Sequence, residues 1–457
     1  MGRVLVSGGT VLTMEPGDRP RVADVLIEDD KIVAVDERIE ADAEVIDASG
    51  QIVTPGLVDT HRHVWQAGLR GLTGDSVLKD YFRSVRFQAS PHYRPEDIRI
   101  GNLAGMLEAV DAGVTTVLDF SHAIVTPDHA DAAIDGTIES GARSQFALGF
   151  SDVPGRDPSL ATPEGLLALA AKLRNGRLSS DDALVTMGIA LSDLPEVGID
   201  RIRAELTGAR ELGLRSTTNG LAILFHEPVD DLEVFDSAGL LGPDIVWVHL
   251  NYATAEQLRR VADTGGSVAT CTEAEMAMGM GRPATERVLA AGGHCTFGCD
   301  VTTSVSGSIL SQARTAMQVG RLLAADERMA SGRAPESVPP SCETIFKGAT
   351  IWGAEALGQA HRIGSLRPGK QADLLVIRAD AVNTAPVHDP YATVVSQAHP
   401  GNIDTVLVAG RKLKSGGRLT ADWASVRKRL EESKEYLTGV ITRNGGFFPQ
   451  PPLDLPW

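Results

Sequence analysis

From Leu57 to about Gly358 the chain repeats one pattern: a short apolar run, a polar or glycine-containing turn, then an amphipathic segment. The apolar runs fall at 57–60, 114–119, 145–150, 184–190, 214–218, 245–249, 267–271 and 295–299. Amphipathic stretches such as 164–173, 200–212 and 255–263 lie between them. Eight strands alternating with helices predict an α/β protein, a parallel (β/α)8 TIM-like barrel. In such a barrel the chemistry sits where strands end and loops begin, so those positions are the ones to search.

The first candidate strand ends in Thr54-Pro-Gly-Leu-Val-Asp-Thr-His61-Arg-His63. Side chains alternate along a strand, so His61 and His63 share one face and Arg62 takes the other. Two imidazoles on one face at a strand end make half of a metal site. A surface histidine pair is the bland alternative. The next stretch, 64–95, is long and carries Trp65, Tyr81, Phe82, Phe87 and Tyr93. Its aromatics argue for a lid or pocket wall over a disordered loop.

Residues 3–56 read as short strands at 4–6, 11–13, 24–27, 31–35 and 44–46. Such an antiparallel layer cannot bury both faces alone and needs a partner sheet, for which 372–377 and 405–410 are the candidates. Beyond 415, residues 423–440 form a surface helix by pattern, and the Pro- and Gly-rich 444–457 read as an extended tail docking on a neighbour.

Lys and Arg total 43 against 60 Asp and Glu, a formal charge of −17, which argues against nucleic acid or an anionic membrane as partner. Met1-Gly-Arg-Val lacks a signal-peptide layout, and no apolar run is long enough for a membrane span. Four cysteines without a CxxC pair form no disulfide framework. The expectation is a cytoplasmic enzyme, a homo-oligomer, acting on a small molecule.

The run PGLVDTHRH resembles the signature of the amidohydrolase superfamily, close to its cytosine deaminase and chlorohydrolase-like branch. The likeness extends from the opening VLVSGGTVLTM to Val406-Leu-Val-Ala-Gly-Arg411. It implies a metal-dependent hydrolase barrel at 57–358. Residues 1–56 and 359–415 then join in a small β-sandwich, with a helix and tail at 416–457. It also implies hydrolysis of a C–N bond, by deamination or amide or amidine cleavage, in a small heterocycle.

By the same resemblance Asp300, after the eighth strand, touches the metal and carries the proton of its water. A carboxylate suits both tasks; capping the following helix is the alternative. His249, ending the sixth strand, matches the histidine that bonds the substrate carbonyl or the water, where an imidazole stabilises an oxyanion.

The fifth strand departs from the family pattern. Asn219 stands where a metal-binding histidine is expected, and Ala222 where related deaminases carry a catalytic Glu. The remaining metal set is His61, His63 and Asp300, which suits one divalent ion, zinc first, with Fe(II) or Mn(II) as options. His226 is a remote substitute ligand, and Asn219 is otherwise a substrate-reading residue. To replace the missing Glu, the seventh strand offers Glu273 and Glu275, one for the pocket and one for solvent. Glu273 lies nearer the strand end and is preferred. Trp65, Gln66, His92, Ser121 and His122 lie on early loops as candidate substrate readers, with packing the alternative for each; Cys299 is expected in the core. Two other functions stay open. One is a lyase, dehydratase or cyclase using Asp300 and Glu273 as acid and base, and the other a non-catalytic binding barrel.

Overall fold

The computed structural model describes residues 2–220, 229–450 and 452–453. Five strands open the chain: β1 (Arg3–Val11), β2 (Arg21–Glu28), β3 (Lys31–Asp36), β4 (Glu44–Asp47) and β5 (Ile52–Pro55). Eight parallel strands follow: β6 (Leu57–Arg62), β7 (Val114–Ser121), β8 (Arg143–Gly149), β9 (Val185–Ala190), β10 (Ser216–Gly220), β11 (Ile245–His249), β12 (Ser267–Thr270) and β13 (Cys295–Phe297). They are hydrogen-bonded in sequence order. Just past β13, Asp300 N donates to His61 O and His63 N to Asp300 O, both at 2.9 Å, bringing first and last strands together. This is the expected barrel, and helices such as Pro95–Asp111 and Ala255–Asp263 connect its strands.

The chain ends meet in a second, mixed sheet. After the barrel come β14 (Leu374–Ile377), β15 (Ile403–Val408), β16 (Arg411–Ser415) and β17 (Arg418–Leu419). The order is β17-β16-β15-β14-β5-β1-β2-β3, with β4 also on β1. Two details differ from the sequence reading. Residues 4–6 and 11–13 do not form two strands; β1 runs from Arg3 to Val11 through an irregularity between Val6 and Gly9. The unexpected β5 is the link between halves, pairing with β1 on one side and β14 on the other. All four of its residues are buried, so it shows no alternation to read. The sheet has its own apolar core, including Val6, Val25, Ile27, Val53, Leu374 and Leu407.

Residues 64–95 are not a loop. They form consecutive short helical turns, Val64–Leu69, Leu78–Tyr81, Phe82–Ala89 and Ser90–His92, whose aromatics are largely buried. The C-terminal helix Trp423–Arg443 lies on Pro95–Asp111, where Ser433 Oγ donates to Asp97 Oδ1 at 2.6 Å and Arg94 stacks on the Tyr436 ring. The tail docks on its own chain: Gln88 Nε2 donates to Asn444 O at 2.8 Å and Arg83 Nε to Leu453 O at 2.9 Å. Among the described residues no helix is long and apolar enough to cross a membrane.

Barrel and end sheet are joined by a buried ion pair. Arg143, at the start of β8, donates from Nε to Asp373 Oδ2 at 2.9 Å and from a terminal nitrogen to Oδ1 at 3.0 Å. Asp373 Oδ1 also accepts from Ala409 N at 2.8 Å. Both side chains are essentially excluded from solvent. Removing one partner leaves the other charge buried and unpaired, at a cost of about 3–5 kcal/mol. Asp373→Ala is therefore expected to lower the melting temperature sharply. Arg143→Met combined with Asp373→Leu is expected to recover much of the loss. A double variant no more stable than the single one in thermal melts would contradict this account.

Candidate active site

The C-terminal ends of β6, β11 and the segment after β13 converge at the barrel mouth. His61 and His63 lie on one face, as alternation requires, and each Nε2 sits 3.3 Å from Asp300 Oδ1. Arg62 points the other way, its Nε 3.0 Å from Asp59 Oδ2 and its terminal nitrogens donating to Gly105 O and Gly307 O. His249 brings Nε2 to 3.9 Å from Asp300 Oδ2. Donor atoms of His61, His249 and Asp300 all lie within 4.8 Å of one another, and all three residues are buried.

Backbone and hydrogen bonds fix these side chains. Asp300 and His249 adopt left-handed φ of 60° and 73°, which a non-glycine residue holds only when its surroundings impose it. His63 Nδ1 lies 3.0 Å from Phe120 O, which leaves its Nε2 facing Asp300. His249 Nδ1 lies 3.1 Å from Glu275 Oε1, and that oxygen also accepts from Cys271 N at 2.8 Å.

The imidazoles are held in different states. Burial pushes His61 down to about 4, against the pull of Asp300, so it is neutral and offers a lone pair. Burial also disfavours charge on His249, but the contact with Glu275 and the charge of Asp300 outweigh it and raise it above the ordinary histidine value. For Asp300, burial opposes ionisation, yet the His61 and His63 rings and the charge of His249 hold it well below the usual carboxylate range.

A divalent cation fits this donor set. Both ring nitrogens of His61 are buried without a hydrogen-bond partner, the 3.3 Å approach to Asp300 being poorly aligned for one. A neutral imidazole so placed, beside a second imidazole and an ionised carboxylate, is what a catalytic zinc site requires of its protein ligands.

Glu273 does not face this cluster. Its carboxylate turns to the helix Ile309–Ala330, where it accepts from Ser311 Oγ, Thr315 Oγ1 and Gln312 Nε2. The physical reason is local. Residues Thr272–Ala277 form a helix, so the residue one turn beyond Cys271 returns to the strand end, and that residue is Glu275. The i to i+4 spacing from Cys271 to Glu275 was the available signal. Ala222 and His226 lie outside the described residues.

A cavity beside the cluster is lined by His63, His249, Asp300 and Asn219, with Tyr81 and Arg86 from the turns above. Trp65, Gln66 and His122 are buried but are not among its lining residues. Trp65 packs edge-on against Tyr93 and His122, Gln66 donates to Tyr81 Oη at 2.7 Å, and His122 packs edge-on against His63. They form the layer behind the cavity. Ser121 is buried at the end of β7, His92 is partly exposed, and Cys299 is fully buried on the Asp59 and Arg62 side. Arg86 carried no signal in the sequence.

The fold and sequence have clear counterparts. Two 5-methylthioadenosine/S-adenosylhomocysteine deaminases are each 29% identical. For that of Symbiobacterium thermophilum the match covers 90% of this chain and 93% of that protein. For that of Natronomonas pharaonis the shares are 98% and 100%. Among solved structures, a zinc-bound adenosine deaminase from Xanthomonas campestris superposes with a TM-score of 0.84 at 22% identity, over 95% of this chain and 98% of that one. A zinc complex of atrazine chlorohydrolase from Arthrobacter aurescens gives 0.80 at 22% identity, over 94% and 100%. The model of the amidohydrolase family matches residues 52–413. The chain therefore belongs to the amidohydrolase family and is a hydrolase of carbon–nitrogen bonds.

Proposed function

We propose that the protein deaminates an amino-heterocycle by hydrolysis, with His61, His63 and Asp300 holding one divalent cation and His249 beside it. The observation that carries this reading is the convergence of three imidazoles and one ionised carboxylate, all buried, at the barrel mouth. Zinc is the cation we assign, because neutral imidazole suits it and two structures of this fold were solved with it. When bound, such an ion acts as a Lewis acid and makes water nucleophilic near neutral pH.

The chain's own groups then have distinct tasks. Asp300 accepts the proton of the attacking water and passes it to the leaving nitrogen, so that the C–N bond breaks with release of ammonia. Charged His249 donates from Nε2 to the oxygen on which negative charge develops. Glu275 acts through His249 by fixing its ring and its charge. The non-hydrolytic alternative drew on Asp300 and Glu273 as a pair. Glu273 faces another helix, so that pair is not formed.

The direct test is ammonia release from a panel of amino-heterocycles, with the metal content of the purified protein measured alongside. His61→Ala and His63→Ala are each expected to lose most of the bound metal; undiminished content in both would sink the ligand assignment.

Asp300→Asn keeps the shape but cannot accept the proton, so turnover is expected to fall about 10²–10⁴-fold. Near-normal turnover in that variant would move the proton transfer elsewhere.

The two glutamates separate cleanly. Glu275→Gln is expected to lower turnover roughly 10–100-fold, the usual scale for a partner that orients a functional histidine. Glu273→Gln should leave turnover close to that of the parent protein. Steady-state rates showing the reverse order would restore Glu273 as the working carboxylate.

A further inference from the structure

Asn219 does not stand alone in the cavity wall. Its amide nitrogen donates to Asp193 Oδ1 at 3.0 Å, and Asp193 Oδ2 lies 3.9 Å from a terminal nitrogen of Arg86. All three residues are more than nine-tenths buried. Asp193 occupies the N-cap position of the helix Leu194–Glu211, where an aspartate ordinarily accepts from the first backbone N–H groups. Here its side chain makes no capping bond and turns to Asn219 and Arg86 instead. Proximity of Ser-Asp to Leu-Pro makes this aspartate read as a cap in the sequence, so its orientation is a finding of the fold.

Three atoms of this group remain unpaired among the described residues, Asp193 Oδ2 being the first. Asn219 Oδ1 and Arg86 Nε have no hydrogen-bond partner among the described residues, and both residues line the cavity that holds His249 and Asp300. Arg86 also donates to Asp152 O at 3.4 Å, has its Cζ 5.6 Å from the Phe82 ring, and its charge acts on the buried Glu196 carboxyl. A buried polar group without a partner costs about 1–3 kcal/mol, more when charged. Such atoms beside a reaction centre point to a ligand.

We infer that Asn219 and Arg86 together read a lactam edge, –NH–C(=O)–, on the substrate ring, with Asp193 as the positioning residue for both. Asn219 has one N–H committed to Asp193, so its carbonyl oxygen is the group left to accept a ring N–H. The guanidinium has donors only and takes the adjacent carbonyl oxygen. A purely anionic group would meet the Asn219 oxygen and the Asp193 carboxylate. A cationic amidine would meet the Arg86 charge. A neutral edge with one donor and one acceptor satisfies both.

This assignment rests on the deaminase reading for its reaction but predicts binding that needs no turnover. The probes are a pyrimidinone without an amino group and its O-methyl ether, which lacks the N–H and the carbonyl, titrated calorimetrically into the full-length protein. The pyrimidinone is expected to bind at least about 10-fold more tightly than the ether. Arg86→Met and Asn219→Leu should each weaken it about 10–100-fold while leaving the ether unchanged. Arg86→Lys and Asn219→Gln serve as milder changes, and thermal melts identify which variants remain folded. With the matching aminopyrimidinone as substrate, Asp193→Asn is expected to raise KM more than it lowers kcat.

Equal binding of the two probes, no binding of the pyrimidinone, or an intact preference in a folded Arg86 or Asn219 variant overturns the inference. The two readings fail separately. Residue-dependent lactam binding without ammonia from any amino-heterocycle removes the deaminase reading and upholds this one. Ammonia released equally well from the aminopyrimidinone and its O-methyl ether does the opposite.

Discussion

The parallel backbone pairing that draws Asp300 onto the end of β6 is the constraint on which the site depends. Asp300 N meets His61 O, and His63 N meets Asp300 O, each at 2.9 Å. Those two hydrogen bonds bring the first and last strands together and, in the same step, place one carboxylate between two imidazoles. The left-handed φ of Asp300 follows from the same pairing, because the chain must leave the strand while its side chain stays at the mouth. Support comes from behind: Asp59 Oδ1 accepts from both His61 N and Cys299 N at 3.2 Å, tying β6 to the last strand from the opposite face.

Burial then decides what each group can do. His61, His63, His249 and Asp300 are buried at the barrel mouth, and a buried charge survives only where a neighbour stabilises it. His61 has no such neighbour strong enough and burial lowers it to about 4, while the contact with Glu275 and the charge of Asp300 outweigh burial and raise His249 above the ordinary histidine value. Two histidines with opposite proton affinities thus stand side by side, their ring centroids 5.7 Å apart. The difference arises from the second contact each ring makes and from nothing in the histidine itself.

The surrounding parts keep this arrangement closed. The turns from Val64 to His92 supply the cover, and the C-terminal tail lies on their outer side through Gln88 and Arg83. The end sheet is bolted to the barrel by Arg143 and Asp373, remote from the mouth in sequence on both sides. The cover is where the chain brings its own specificity: Arg86 enters from it, and Asp193 and Asn219 meet it from neighbouring strand ends.

What the sequence determined by itself is the part written in local periodicity. Eight apolar runs alternating with amphipathic segments specify the barrel, and the single residue between His61 and His63 puts both rings on one face, because strand side chains alternate. Tertiary structure decided the rest, where the deciding contact is distant in the chain or the local period changes. β5 was hidden because a strand buried on both faces shows no alternation. Glu275 replaced Glu273 at His249 because a helix begins at Thr272 and changes the period from two to nearly four. Asp193 reads locally as a helix cap, and Arg86 as one charge among many. Only packing β9, β10 and the cover together sets them against Asn219, since which hydrogen bond a buried carboxylate makes depends on the partners that the whole fold brings within reach.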